Sequence, residues 1–304
     1  MLPLFNYLKN PNLLFDSLLR HYGGWLPDSL YIKLRYRFQV GKRLELRHPH
    51  SFQEKLQWLK LYDHNPRYTR LVDKVIVKDH VASLIGEDYV VPLLGVWDTP
   101  EDIDWEALPD QFVLKTNHSG GNTGVIICRD KSSFNQQKAI SRLKTSLKND
   151  VYRDLREWPY KGINKKVFAE ELLVSPSEEK ELPDYKWYCF NGEPKYCQLI
   201  QNRTTRETID FYDTNWQHQE FIGLNPAASH AATLAEKPSS IDVQLRIARE
   251  LSKNIPFARV DLYCVGERVY FGEITFYPFS GMGAFSPSQY NEILGKMIVL
   301  PDAK

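Results

Sequence analysis

Cysteine is scarce. The four in 304 residues, Cys128, Cys189, Cys197 and Cys264, include no C-x-x-C pair. Three stand in apolar, strand-like runs, so they read as small buried hydrophobes and argue against a cysteine zinc site. Long apolar runs are missing too. The longest, Val90 to Trp97, is broken by Pro92 and Gly95 and falls far short of a bilayer span. The opening MLPLFNYLKNPNLLFDSLLRHYGGWL has neither the basic start nor the continuous apolar stretch of a signal peptide, so a cytoplasmic location is expected. Nor is there a surplus of either charge: 39 Lys and Arg face 38 Asp and Glu, a net +1. That balance excludes a chain that grips nucleic acid through bulk charge while leaving room for a local basic patch.

What remains is ordinary globular composition, with 42% hydrophobic and 25% charged residues, which argues against disorder. The length suits one large domain or two intimate ones. Aromatics at 13% fit either a sugar-facing cleft or a large core.

Residues 1–65 form a helical and basic region. Leu13, Leu14, Leu18 and Leu19 recur near helical spacing, closed by Gly23 and Gly24. In YIKLRYRFQVGKRLELRHPH, Ile32, Leu34, Tyr36, Phe38 and Val40 alternate with polar residues, and six Lys or Arg face one acid, Glu45. This is a half-buried element with a solvated face, or a patch for an anionic membrane surface or a phosphorylated lipid-linked sugar. Ser51 with Glu54 is a capping box opening a helix through Leu61. Residues 66–110 carry a helix from Asp73 to about Ile85 and a strand at 89–96. Beyond Pro109, strands are expected near 111–117, 124–129, 166–174, 185–191, 195–201, 257–264 and 269–275. Helices fit 134–148, 240–253 and 287–295, the last with Ser286 as N-cap and Pro287 in its first turn. The pattern is α+β with mostly antiparallel sheets, divided at 111–165 and 166–304.

Three constellations carry chemistry. In QFVLKTNHSGGNTGVIICRD, two strands flank a loop, and Lys115 interrupts an otherwise apolar strand, a costly placement unless its ammonium meets an anion. The loop His118, Ser119, Gly120, Gly121 with Gly124 at its exit is a phosphate cradle or a plain hairpin turn. In PFARVDLYCVGERVYFGEITFYPFSGMG, Arg259 and Asp261 share one strand face and Glu273 and Thr275 another. An even hairpin register splits the acids across the sheet. A three-residue loop, Gly266 to Arg268, sets Asp261 opposite Glu273 and Arg259 opposite Thr275, about 5 Å apart at Cβ. Such a pair suits Mg²⁺, and also a cross-strand Arg–Glu pairing on a wet sheet. In KKVFAEELL, two acids end an apolar strand, as at an edge meeting water or at a nucleotide hinge. Lys74 follows Asp73, a plausible N-cap, and a cation in a first helical turn opposes the helix dipole unless an anion lies there.

The order of these elements resembles an ATP-grasp ligase. VDKVIVKDHV, PLLGVWDTPEDIDWEALPDQFVLKTNHSGG and VDLYCVGERVYFGEITFYPFSG are closer still to the TupA-like ATP-grasp family, associated with bacterial surface polysaccharide (capsule) and teichuronopeptide assembly. The resemblance runs from about Ser51 to Leu300 and implies the ATP-grasp fold, two α+β subdomains clamping ATP. It implies ATP and Mg²⁺ as cofactors. Lys74 and Lys115 bind phosphates under the loop His118, Ser119, Gly120, Gly121 and Gly124. Glu170, Glu171, Leu172 and Leu173 form the adenine and ribose hinge, and Lys186 adds a phosphate or ribose contact. Asp261 and Glu273 hold the metal with Thr275, where many ATP-grasp enzymes carry asparagine. Arg259 stabilises the acyl phosphate and the tetrahedral intermediate. The reaction implied is carboxylate–amine ligation through an acyl phosphate, joining an amino acid to a uronic acid of a polysaccharide precursor. An ATP-grasp kinase acting on a sugar hydroxyl, a Mg²⁺-dependent glycosyltransferase and a non-catalytic polysaccharide-binding protein are the competing readings.

Overall fold

The computed structural model describes residues 11–302 apart from 121–123, 176–180, 204 and 225–227. Helices α1 (Pro11–Tyr22) and α2 (Asp28–Val40) pair at the N-terminal end. The period-2 alternation of Ile32 to Val40 therefore lies on a helix. Its buried set is Tyr31, Ile32, Arg35 and Tyr36, the spacing of a single helix face. Arg35 breaks the apolar pattern because Asp16 of α1 accepts a hydrogen bond from its Nε at 2.8 Å inside the pair.

Helix α3 (Phe52–Tyr62) opens on the expected capping box: Ser51 Oγ accepts from the Glu54 N–H at 3.2 Å, and the Glu54 carboxylate accepts from the Ser51 N–H at 3.0 Å. Such a cap contributes about 1 kcal/mol. Helices α4 (Arg67–Val72) and α5 (Ile76–Ile85) follow. Asp73 lies between them, and its Oδ1 accepts from the N–H groups of Val75 and Ile76 at 2.9 and 3.1 Å. The cap is thus present, but the regular helix begins at Ile76, so Lys74 stands just ahead of it rather than in its first turn.

Strands β1 (Leu93–Trp97), β2 (Phe112–Thr116) and β3 (Ile126–Cys128) precede α6 (Gln136–Leu147), α7 (Val151–Leu155) and β4 (Val167–Glu171). The four strands form an antiparallel sheet in the order β1-β4-β2-β3. Phe112, Leu114 and Ala169 point from one face onto a core that includes Ala139 and Leu143 of α6. The opposite face carries Val113, Lys115, Phe168 and Glu170.

The larger sheet uses β5 (Asp184–Phe190), β6 (Glu193–Gln201), β7 (Thr208–Asp213) and β8 (His218–Gln219). The chain continues through β9 (Ile222–Gly223), α8 (Ile241–Ser252), β10 (Phe257–Val265), β11 (Arg268–Thr275), β12 (Phe285–Ser286) and α9 (Tyr290–Met297). Its antiparallel order is β11-β10-β5-β6-β7-β8. Helix α8 covers one face, where Trp187 Nε1 donates to Gln244 Oε1 at 2.9 Å. On the other face α3 inserts Phe52, whose ring meets Phe257 at 4.9 Å and Phe285 at 5.3 Å, both edge-on. Much of the aromatic content is accounted for here, as core. The expected start of the last helix at Ser286-Pro287 is corrected: regular helix begins at Tyr290, whose N–H bonds Pro287 O at 3.1 Å.

Candidate active site

The hairpin of β10 and β11 brings the two acids together by a route other than the expected three-residue loop. Val265 pairs with Arg268, so the loop is Gly266 and Glu267 alone, with Gly266 at φ +61°. Continued without interruption, that register would set Asp261 against Gly272. Instead the ladder shifts between Asp261 and Leu262, and Asp261 pairs with Glu273 and Arg259 with Thr275. Gly272 is the extra residue of the resulting bulge. A Cβ there would lie 2.9 Å from the Tyr263 ring and 3.0 Å from Asp261 O, so the crowded kink has room only for glycine.

Asp261 is 1% exposed. Arg259 Nε and Nη2 donate to its two oxygens at 2.7 and 2.8 Å, and Lys186 from the adjacent β5 pairs with it as well. Glu273 accepts from Lys74 Nζ at 2.6 Å and lies 3.5 Å from Arg259 Nη2. Burial pushes the Glu273 carboxyl up, but Lys74, Lys186 and Arg259 outweigh it and hold it well below the usual carboxylate range. Burial likewise opposes the charge on Arg259, and Asp261 more than restores it. Thr275 Oγ1 accepts from Arg259 Nη2 at 3.1 Å and lies 3.4 Å from Glu273 Oε1, which locks the two charged side chains to one another.

A second cluster sits on the Lys115 and Glu170 face of the smaller sheet. Lys115 pairs with Glu170, and Lys78 Nζ from α5 meets the other Glu170 oxygen at 2.8 Å while donating to Val91 O at 2.6 Å. Burial raises the Glu170 carboxyl, and Lys115 and Lys78 together bring it below its ordinary value. Glu171 is exposed and its N–H is taken by Pro92 O at 3.1 Å, while Leu172 and Leu173 are half-buried just past the strand.

The segment Asp73-Lys74 ties the clusters together. Asn117, at the end of β2, donates from Nδ2 to Asp73 Oδ2 at 2.8 Å, and its carbonyl accepts the Lys74 N–H at 2.9 Å. Lys74 therefore has its backbone on the smaller sheet and its ammonium on Glu273 of the larger one. In the loop after β2, His118 is buried, with Nε2 3.2 Å from Asn149 O, and burial with nearby Lys165 pushes its imidazole pKa down. Ser119 Oγ is 2.7 Å from Ser146 Oγ, and Thr116 Oγ1 joins the same group at 2.9 Å from Ser146. Gly120 is exposed with open space around it. Gly121 lies outside the described residues. Gly124 has φ +77°, and a side chain there would run into Ser146 Oγ.

Sequence reasoning missed three contributors. Lys78 follows Lys74 by four residues, and the buried Asp184 precedes Lys186 by two on the same strand face, so both spacings were there to be read. Asp184 lies 3.8 Å from Lys186 and takes Arg203 at 2.9 Å. Asn117, fully buried between Asp73 and the Asn164 carbonyl, had no local signal.

Two antiparallel sheets bridged by a lysine, with a carboxylate pair on β10 and the edge strand β11 of the larger one, fit the ATP-grasp class of ligases. The chain belongs to the TupA-like ATP-grasp family, which matches residues 54–299. Among curated proteins none matches. Solved structures of similar fold include D-alanine–D-alanine ligase from Bacillus anthracis, at 18% identity and TM-score 0.40 over 69% of this chain and 58% of that one. D-Alanine–D-alanine ligase from Helicobacter pylori aligns at 13% identity and TM-score 0.42 over 83% and 71%. The ATP-grasp ligase PsnB, complexed with minimal precursor, Mg and ADP, aligns at 12% identity and TM-score 0.38 over 86% and 64%. The chain thus spans 58% of the Bacillus anthracis ligase and 64% of PsnB.

Proposed function

We propose that the protein is an ATP-dependent carboxylate–amine ligase that joins an amino acid to a uronic acid of a bacterial surface polysaccharide or its precursor. The observation that carries this reading is the Asp261–Glu273 pair on one sheet face, with the carboxylates held by Lys186 and Arg259 of the same sheet and by Lys74 of the segment between α4 and α5. Paired carboxylate oxygens are the donor chemistry that Mg²⁺ takes, and the surrounding ammonium groups suit phosphate oxygens, so the residues fit Mg·ATP. When bound, ATP with Mg²⁺ supplies an activated phosphoryl group and offsets the charge that develops in its transfer.

The chain's own residues divide the remaining work. Asp261 and Glu273 hold the metal, and Thr275 orients Glu273 and Arg259 beside them. Lys74, Lys115 and Lys186 exchange their carboxylate partners for phosphate oxygens, a swap that keeps every buried charge paired. Glu170 positions Lys115, and Lys78 keeps Glu170 in place when Lys115 turns to the nucleotide. The strand end from Glu171 to Leu173 offers hinge backbone to the base. Closure over the phosphates, which would keep water from the acyl phosphate, is assigned to the turn glycines Gly120 and Gly124. Arg259 stabilises the oxyanion formed when the amine attacks that acyl phosphate and inorganic phosphate leaves.

Residues 31–50 would bring the enzyme to a membrane surface or a lipid-linked glycan. Lys33, Lys42, Arg43 and Arg47 are exposed there, with Trp25 81% exposed nearby in sequence. Among the described residues no helix is long and apolar enough to cross a membrane. The test of the ligase reading is ADP release from Mg·ATP across a matrix of uronic acid acceptors and amino acids. Release that needs both substrates supports it, whereas release on a sugar without amine, yielding a stable phosphoester, overturns it.

A further inference from the structure

A group of metal-ligating side chains stands apart from the nucleotide site. Asp210 of β7 is 1% exposed, and one of its oxygens meets two imidazoles: His218 Nε2 at 2.9 Å and His230 Nδ1 at 2.8 Å. The three ligand atoms lie within 4.8 Å of one another. Cross-strand pairing runs from Asp210 to Leu199, Tyr185 and Leu262, one residue out of step with the line through Asp261, Lys186 and Gln198. Asp210 is therefore on the opposite sheet face from the acid pair. It is also three strands away, roughly 14 Å at ordinary strand spacing.

From this geometry we infer that Asp210, His218 and His230 form a separate binding site for a zinc-class transition-metal ion. Two imidazole nitrogens and one carboxylate oxygen are a donor set that Zn²⁺ accepts in tetrahedral coordination with a fourth position left to water. Ligand atoms about a tetrahedral zinc lie roughly 3.3 Å apart for bonds near 2.0 Å. Small side-chain rotations open the observed contacts to that spacing. The open position has a place too, because the histidine side chains are 22% and 36% exposed while the Asp210 side chain is 2% exposed. Each imidazole presents its nitrogen lone pair to the ion by carrying its ring proton on the far nitrogen, so a neutral ring loses no proton.

The ligands are held from behind. The second Asp210 oxygen accepts the Ala231 N–H at 3.1 Å, an orienting bond of the kind that tunes metal ligands. The Ile209 N–H bonds Ser229 O at 3.0 Å, and His218 sits opposite Tyr212 on the edge strand β8. The ion would clip three chain segments, β7, β8 and the stretch around His230, at the open edge of the larger sheet. Its role is to secure that edge rather than to serve phosphoryl transfer.

The experiment uses the full chain, freed of metal with a chelator and titrated with Zn²⁺ and with Co²⁺ in the presence of excess Mg·ADP. One equivalent should bind, with the visible absorption of four-coordinate cobalt and a rise in melting temperature. His218→Ala and His230→Ala should each weaken binding at least about 10-fold. Melting of the metal-free variants and their Mg·ATP-dependent ADP release, both close to those of the parent, show that the fold is intact. If the parent binds no more Zn²⁺ than the double histidine variant, the cluster is a carboxylate holding two imidazoles by hydrogen bonds alone, and the proposal fails.

Discussion

Asp261 faces Glu273 across the β10–β11 ladder only because Gly272 adds one residue to β11 between the turn and the acids. A two-residue hairpin loop alone would have turned Glu273 to the other face of the sheet. Any side chain at position 272 meets the Tyr263 ring and the Asp261 carbonyl. Gly272→Val should therefore cost about 1–3 kcal/mol in urea unfolding and abolish Mg·ATP-dependent turnover together. Retained turnover in a folded Gly272→Val protein would show that the bulge does not set the site.

The two acids differ in what their loss does to the fold. Asp261→Asn leaves Arg259 and Lys186 buried beside a neutral amide, and should cost about 3–5 kcal/mol of stability. Glu273 is 28% exposed, so Glu273→Gln should destabilise the fold measurably but less than Asp261→Asn does. Its effect should appear as a loss of ADP release of about 100-fold or more. Parallel denaturation and turnover measurements separate the two.

Lys78 and Lys115 share Glu170, so their contributions should be coupled. A double-mutant cycle on Lys78→Met and Glu170→Gln should give an interaction of about 1–3 kcal/mol in unfolding experiments. For nucleotide binding, Lys115→Ala should weaken affinity for Mg·ATP directly. Lys78→Met should act through the placement of Lys115 and cost less.

Acid should unfold the protein through these carboxylates. Glu170 and Glu273 both titrate below their ordinary value in the folded state. Their stabilisation is complete above the unfolded carboxylate pKa and is lost as pH falls through the lower folded values. Urea midpoints should stay nearly level from pH 7 to about 5 and fall steadily below about pH 4. A midpoint that rises on acidification contradicts the assigned pairing.

Surface contact through the basic stretch should depend on charge. Co-sedimentation with phosphatidylserine vesicles should be lost in Lys42→Glu with Arg43→Glu and in high salt, each charge contributing about 1 kcal/mol near such a surface. Binding to neutral phosphatidylcholine vesicles of equal strength would remove electrostatics as the cause.

Read along the chain, the elements were recoverable where signals are local. The capping box of Ser51 and Glu54, the amphipathic pattern of α8 and the strand alternation around Lys115 and Asp261 each depend on neighbours a few residues away. The α2 helix was obscured because Arg35 occupies a core position, and a buried arginine is intelligible only once Asp16 is seen beside it. Strand β7 was missed, and with it Asp210, whose two histidines lie 8 and 20 residues further on.

The residue chemistry of the site is written in local pattern: a lysine in an apolar strand, a glycine-rich turn, and two acids on successive strands. The near-balance of charge and the lack of a membrane-length apolar run are legible there too. Which charges meet follows from the packing of distant segments. Lys74 and Glu273 are 199 residues apart, and Lys186 and Asp261 are 75 apart. Burial makes such pairing obligatory, because an unpaired charge in the interior costs several kcal/mol. Local spacing cannot say which partner satisfies it. The packing of two sheets about Asp73 and Lys74, and one bulged glycine, made that choice.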